Sequence, residues 1–281
     1  MRLKQFINES RGKALSLDDT KKLLQTKCKK AVKAYKKGSI IYRGVNENNE
    51  FIYVSPSKFT RVSANTDNYY TLINDNSPAW AKYPKRSKSI ICTTDDIIAE
   101  QYGVLYTVFP FDGAKIGVCS SYDYWFSFPF LKKVTEVNDM DVFNSKLYYM
   151  FAPNDFFRNI INDNIKSDIS KVKTYEDLRK IFKEFDIYIK KSDEEIKKET
   201  GINHKKSPTI EMIIEKYQFA SILKGYDKFM NLERYIQYLL DPKKNKFQLK
   251  TIGDKLPPKR EVWTDADSVL IKTGIENKIL S

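Results

Sequence analysis

The chain has 281 residues, 41% of them hydrophobic and 14% aromatic, which is enough apolar material for one large domain with a substantial core. Its 49 lysines and arginines against 36 acidic residues give a net charge of +13, and such a surface attracts polyanions and anionic dinucleotides alike. One histidine and three widely spaced cysteines, Cys28, Cys92 and Cys119, weigh against a Ser-His-Asp hydrolase, a Cys-His protease, a polyhistidine metal enzyme, a zinc site and a disulfide framework.

No apolar run is long enough to span a bilayer, and the first residues lack the apolar core of a secretory signal. The expectation is a soluble intracellular protein with no metal and no membrane partner. The basic residues are scattered, mostly in pairs such as Lys36-Lys37, Lys132-Lys133, Lys190-Lys191 and Lys243-Lys244. That dispersion fits a solvated surface better than a nucleic-acid groove.

Along the chain, apolar positions Leu17, Leu24, Cys28, Ala31 and Tyr35 predict an amphipathic helix over 17–37, ended by Gly38. Ser39-Ile40-Ile41-Tyr42-Arg43-Gly44-Val45 predicts a strand by its β-branched and aromatic content, and 51–55 a second. From Thr60 through Asn65-Thr66-Asp67-Asn68-Tyr69-Tyr70 to Trp80 the polar and aromatic mixture reads as a long functional loop. In Pro84-Lys85-Arg86-Ser87-Lys88, Arg86 is either a phosphate contact or part of a basic turn.

Ser89-Ile90-Ile91-Cys92-Thr93-Thr94-Asp95 then predicts a strand that delivers hydroxyls at its end. It runs into a short helix, with Thr94 and Asp95 as caps and Ile98 and Tyr102 on one face. Two strands follow, 104–109 and 115–119, around a turn at 110–113. The aromatic run Tyr122-Asp123-Tyr124-Trp125-Phe126-Ser127-Phe128 offers rings that either plug a core or stack on a planar ligand, Trp125 among them.

Helical texture extends from Asp155 to Leu240, through Phe156, Ile160, Ile161, Tyr175, Leu178, Phe182, Ile210, Ile213, Ile214, Tyr217, Phe219 and Leu239. The lone His204 lies in a polar stretch inside it. Asp241-Pro242 closes this region. Lys259-Arg260-Glu261-Val262-Trp263-Thr264, a turn, and Ser268-Val269-Leu270-Ile271 then read as strand, turn, strand.

An arginine, a hydroxyl cluster and a glutamate thus come in order, each at a strand. In this the chain resembles the mono-ADP-ribosyltransferases of the arginine, serine, glutamate class. The resemblance rests on Tyr42-Arg43-Gly44, on Cys92-Thr93-Thr94 with Ala99 and Tyr102 in the following helix, and on Glu261-Val262-Trp263 with Val269-Leu270-Ile271. It implies an α+β fold, an ADP-ribosyltransferase-like split β-sheet core in a single domain 1–281, with 155–245 as a helical insertion.

The resemblance also implies NAD as substrate. Glu261, Arg43 and Thr94 would be catalytic, and Arg43, Arg86, Thr93, Thr94, Tyr102 and Trp125 would bind the dinucleotide. Cleaving the ribose–nicotinamide bond builds positive charge on the sugar, which a carboxylate stabilises more in the transition state than in the ground state. A guanidinium binds pyrophosphate in bidentate geometry. Two positions depart from the family: Cys92 stands for a serine, and Lys259 stands where arginine-modifying members carry a second acid.

Met1-Arg2-Leu3-Lys4-Gln5-Phe6-Ile7-Asn8-Glu9-Ser10 is similar to the leaders of internal head proteins of large tailed phages, with Ile7-Asn8-Glu9 as the cleaved triplet; an amphipathic N-terminal turn explains it equally. The expected activity is transfer of ADP-ribose from NAD to a host macromolecule, with protein as the acceptor, in the host cytoplasm after carriage in the virion. The alternatives are a non-catalytic basic head or DNA-binding protein on the same scaffold, and ADP-ribosylation of nucleic acid.

Overall fold

A computed structural model of the chain describes residues 12–61, 69–151, 169–190, 220–223 and 225–280. The segments 1–10, 65–68, 160–161 and 210–219 singled out above lie outside the described residues, as do Phe156, Lys191 and His204. The protein combines helices with antiparallel sheet, an α+β fold. It divides into two compact units, Met1–Ser127 with Lys246–Ser281, and Phe128–Asn245. The second unit starts at Phe128, ahead of the 155 at which helical texture begins in the sequence.

In chain order the first unit contains β1 (Lys13–Ala14), α1 (Leu17–Lys27), α2 (Lys29–Lys36), β2 (Tyr42–Val45), β3 (Phe51–Val54) and α3 (Tyr69–Asn76). Next come β4 (Ile90–Thr93), α4 (Asp96–Glu100), β5 (Val104–Pro110) and β6 (Lys115–Val118). The second unit follows with α5 (Pro129–Thr135), α6 (Met140–Phe151), α7 (Tyr175–Ile189), α8 (Ala220–Leu223) and α9 (Leu232–Leu239). The chain then returns to the first unit for β7 (Gln248–Thr251), β8 (Glu261–Thr264), β9 (Ser268–Lys272) and α10 (Asn277–Leu280).

The nine described strands form one sheet in the order β1-β3-β9-β5-β2-β4-β8-β6-β7. β2 pairs with β5 over four residues and β4 with β8 over four, whereas β2 and β4 pair only at Tyr42↔Thr93. The sheet is therefore split into two halves that meet at one residue pair. Gly44 sits at this seam because α4 packs onto it. A Cβ there would lie 2.1 Å from the Ala99 carbonyl oxygen, a contact only glycine avoids.

One face of the sheet buries an aliphatic core of Ile90, Cys92, Val108, Val262 and Leu270 against Leu24, Cys28 and Ala31 of the N-terminal helices. The amphipathic stretch expected over 17–37 is two helices, because the β5–β6 turn interrupts it. The Asp112 amide donates to the Lys27 carbonyl at 2.6 Å, and the Asp112 carboxylate accepts the Lys30 amide at 2.8 Å. That carboxylate satisfies an otherwise orphaned N–H at the start of α2.

The stretch read as a long loop contains α3. Its β-branched and aromatic residues have modest helix propensity, but Tyr69, Tyr70, Thr71, Ile73 and Asn74 are all buried. Tertiary packing supplies what local preference does not. Ser77 and Pro78 follow and end the helix.

In the second unit, Leu178, Ile181, Phe182 and Phe185 of α7 and Leu232, Tyr235, Ile236 and Leu239 of α9 are buried. Asp186 accepts from the Tyr226 hydroxyl and from the Leu232 amide at 2.8 Å. The Asn245 side chain accepts the first amides of α5, those of Phe130 and Leu131. Among the described residues no helix is long and apolar enough to cross a membrane.

Candidate active site

Side chains alternate between faces along a strand, so the register decides what can meet. Tyr42 pairs with Thr93 and Thr93 with Glu261, which places Tyr42, Thr93 and Glu261 on one face across three adjacent strands. Arg43 leaves β2 on the opposite face, the one Cys92 occupies. Its guanidinium donates to the Ile91 carbonyl across the seam. Burial pushes the Cys92 thiol up to about 12, with Arg43 pulling the other way.

Glu261 lies at the start of β8 and its side chain is 13% exposed. Its Oε1 is 2.9 Å from Arg86 Nη1, and its Oε2 accepts the Tyr124 backbone N–H at 3.2 Å. One carboxylate oxygen thus faces a buried opposite charge, and the other accepts a backbone amide 137 residues away in sequence.

Arg86 is 4% exposed and is not placed to meet a phosphate from solution. Its guanidinium carbon lies 3.8 Å from the centre of the Tyr124 ring and 5.1 Å from that of Trp263. The ion pair lacks hydrogen-bond alignment, and Arg86 Nε has no hydrogen-bond acceptor among the described residues. The ring faces provide the compensating attraction. Burial alone would lower the Arg86 pKa; the adjacent Glu261 carboxylate reverses that and holds it above its ordinary value.

Three elements fix Arg86 in place. Asp75, in the last turn of α3, accepts the Arg86 and Ser87 amides at 2.8 and 3.1 Å. The Trp263 indole donates to the Pro84 carbonyl at 2.9 Å. Trp263 itself lies across β6 because its register partner is Gly117, where a Cβ would come within 2.2 Å of the indole. Tyr83, Trp80, Phe247 and Tyr124 complete an aromatic layer against Trp263.

The hydroxyls following β4 serve the backbone. Thr93 Oγ1 accepts the Asp95 amide at 3.1 Å, and Asp95 caps α4 by accepting from Ile97 and Ile98. Thr94 Oγ1 donates to the Pro257 carbonyl at 2.8 Å and accepts the Arg260 amide at 3.0 Å, while the Thr94 amide donates to the Arg260 carbonyl. Thr94 therefore clamps the turn that launches Glu261, in which Lys259 is left-handed at φ +52°.

Around Glu261 the loop after β6 contributes Asp123, half-buried between Tyr122 and Tyr124. Its Oδ1 accepts the Trp125 amide at 2.6 Å. Burial, and then the Glu261 charge, push the Asp123 carboxyl up to about 6. Tyr102, after α4, is partly exposed, and burial together with Asp123 and Glu261 raises its phenol. Tyr122 and Phe126, 53% and 49% exposed, stack on each other with centroids 5.4 Å apart. Trp125 packs edge-on against Tyr70 at 4.7 Å.

Of the residues expected at the site, Glu261, Arg86, Thr93 and Tyr102 come together around one carboxylate. Trp125 adjoins them through the Tyr124 loop, Thr94 acts through the turn, and Arg43 sits on the far face. Sequence reading gave no role to Asp123 or to the Tyr124 amide. The only signal for either was an aspartate among aromatics. Among the described residues no group of three or more histidines, cysteines, aspartates and glutamates is placed to hold a metal. No protein-family model, curated protein or solved structure matches the chain.

Proposed function

We propose that the chain is an NAD-dependent mono-ADP-ribosyltransferase, with Glu261 as the carboxylate that stabilises the developing oxocarbenium charge on the nicotinamide ribose. The observation that carries this reading is the cross-strand pair of Thr93, on the strand next to β2, with Glu261 on the strand after it. Arginine, hydroxyl and glutamate strands far apart in sequence are consecutive in the sheet, and the glutamate has an ion-pair partner at Oε1 and an amide donor at Oε2.

A carboxylate that must stabilise positive charge has to be ionised and fixed before the reaction. Arg86 and the Tyr124 amide fix its position. With Oε1 closed off against Arg86, Oε2 is the oxygen left to accept from a ribose hydroxyl. Arg86 is then a positioning residue, as are Thr94, through the 257–260 turn, and Arg43, through the seam between β2 and β4. The exposed rings of Tyr102, Tyr122 and Phe126 offer faces for nicotinamide or adenine. The net charge of +13 draws in an anionic dinucleotide.

Labelled NAD incubated with the protein and a bacterial lysate tests this reading. One or a few labelled macromolecules are expected with the wild type and none with Glu261→Gln. Protease or nuclease sensitivity of the label then identifies the acceptor class. Label that persists unchanged in Glu261→Gln refutes the assignment of Glu261.

A further inference from the structure

Asp123 is the second carboxylate at this site, and nothing in the chemistry at the ribose employs it. The amide of the next residue, Tyr124, donates to Glu261 Oε2 at 3.2 Å, so Asp123 is one residue removed from a direct hydrogen bond to the glutamate. Its conformation is set at both ends: Oδ1 accepts the Trp125 amide at 2.6 Å, and its carbonyl accepts the Ser127 hydroxyl at 2.6 Å. The exposed Tyr122 and Phe126 rings on the same turn give this loop an open side.

Resting on the ADP-ribosyl reading of Glu261, we propose that Asp123 is the general base that takes the proton from the acceptor during transfer. The C1′–N bond to nicotinamide breaks and its electron pair leaves with the pyridine nitrogen. A lone pair on the acceptor heteroatom forms the new bond to C1′. The acceptor's proton passes to the Asp123 carboxylate and from there to water, so the carboxylate is regenerated.

The charged and titratable groups acting on Asp123 are Glu261 from β8, Arg86 from the turn before β4, Tyr102 from the end of α4 and Cys119 from the end of β6. Burial and then Glu261 raise its pKa, while the Trp125 amide, Arg86 and the Phe126 amide lower it, leaving it at about 6. A base with that pKa is ionised at neutral pH yet basic enough to accept a proton, the range in which general bases are effective.

The test compares nicotinamide release from labelled NAD with labelling of macromolecules in a bacterial lysate, for wild type, Asp123→Asn and Asp123→Glu, between pH 5 and 8. The ratio of labelling to release should fall about a hundredfold in Asp123→Asn and recover in part in Asp123→Glu. In the wild type it should drop below about pH 6. Nicotinamide release and labelling with an unchanged ratio in Asp123→Asn, or a wild-type ratio flat with pH, overturns the assignment of Asp123 alone. Absence of nicotinamide release from the wild type overturns the ADP-ribosyl reading and the Asp123 assignment with it. Should Asp123→Asn fail to fold, the wild-type pH dependence decides.

Discussion

Arg86 and Glu261 form an ion pair at 2.9 Å, with Arg86 4% exposed beneath the Tyr124 ring. Removing two charges from water costs several kcal/mol per ion, which their attraction repays only in part. Such a pair contributes little to stability compared with apolar residues of the same volume. Its consequence is a carboxylate held in a fixed place beside a buried cation.

Breaking the pair from one side should be costly. Glu261→Ala leaves the Arg86 charge buried and unpaired, and the expected loss is about 3–5 kcal/mol by chemical denaturation. Arg86→Met combined with Glu261→Met should be markedly less destabilising than the sum of the two single changes. Additive losses in that double-mutant cycle would show that the two side chains do not interact.

Gly117 and Gly44 allow two close approaches that a side chain would block. Gly117→Ala drives a methyl into the Trp263 indole, and Gly44→Ala drives one into the Ala99 carbonyl. Overpacking costs about 1–3 kcal/mol. Gly44→Ala should lie at the upper end, because backbone gives way less readily than a side chain. Denaturant midpoints check both, and the near-ultraviolet dichroism of Trp263 should change in Gly117→Ala only.

Thr94 is expected to matter through the 257–260 turn. Thr94→Val removes a hydroxyl that donates to Pro257 and accepts from Arg260, leaving the Arg260 amide without that partner at a cost of about 1–3 kcal/mol. Hydrogen exchange at the Arg260 amide should accelerate in Thr94→Val and remain slow in Thr94→Ser. Unchanged exchange in Thr94→Val would remove Thr94 from the support of Glu261.

Asp123 makes stability depend on pH in a direction opposite to that of most carboxylates. Its ordinary value is 3.8 and its folded value about 6, so the folded state binds the proton more tightly. The stabilisation is present below about pH 4 and is lost as pH rises through 6. Asp123→Asn cannot ionise, so its melting temperature relative to wild type should increase between pH 4 and pH 7. A difference that is constant over that range would contradict the raised value.

The strands around the site were legible because alternation and β-branched content are local signals. β2, β4, β8 and β9 lie where the sequence places them, and Asp95 caps α4. The helix α3 was not legible, since Tyr69, Tyr70 and Ile73 form it only by burial. Neither were the contacts that define the site. Arg86 reads equally as a phosphate contact or as part of a basic turn until β8 brings Glu261 beside it, and the Tyr124 amide is a backbone donor with no side-chain signature. Alternation along β2 does separate Tyr42 from Arg43, but which of the two faces Glu261 depends on a register with β4 that no local pattern encodes.

The most direct test of the central claim is nicotinamide release from NAD by purified wild type and Glu261→Gln, with the melting temperature of each recorded in the same buffer. Release is expected from the wild type, with a rate at least roughly a hundredfold lower in a folded Glu261→Gln, the scale on which single electrostatic stabilisers act. No release by folded wild type, or equal rates in the two proteins, would contradict it.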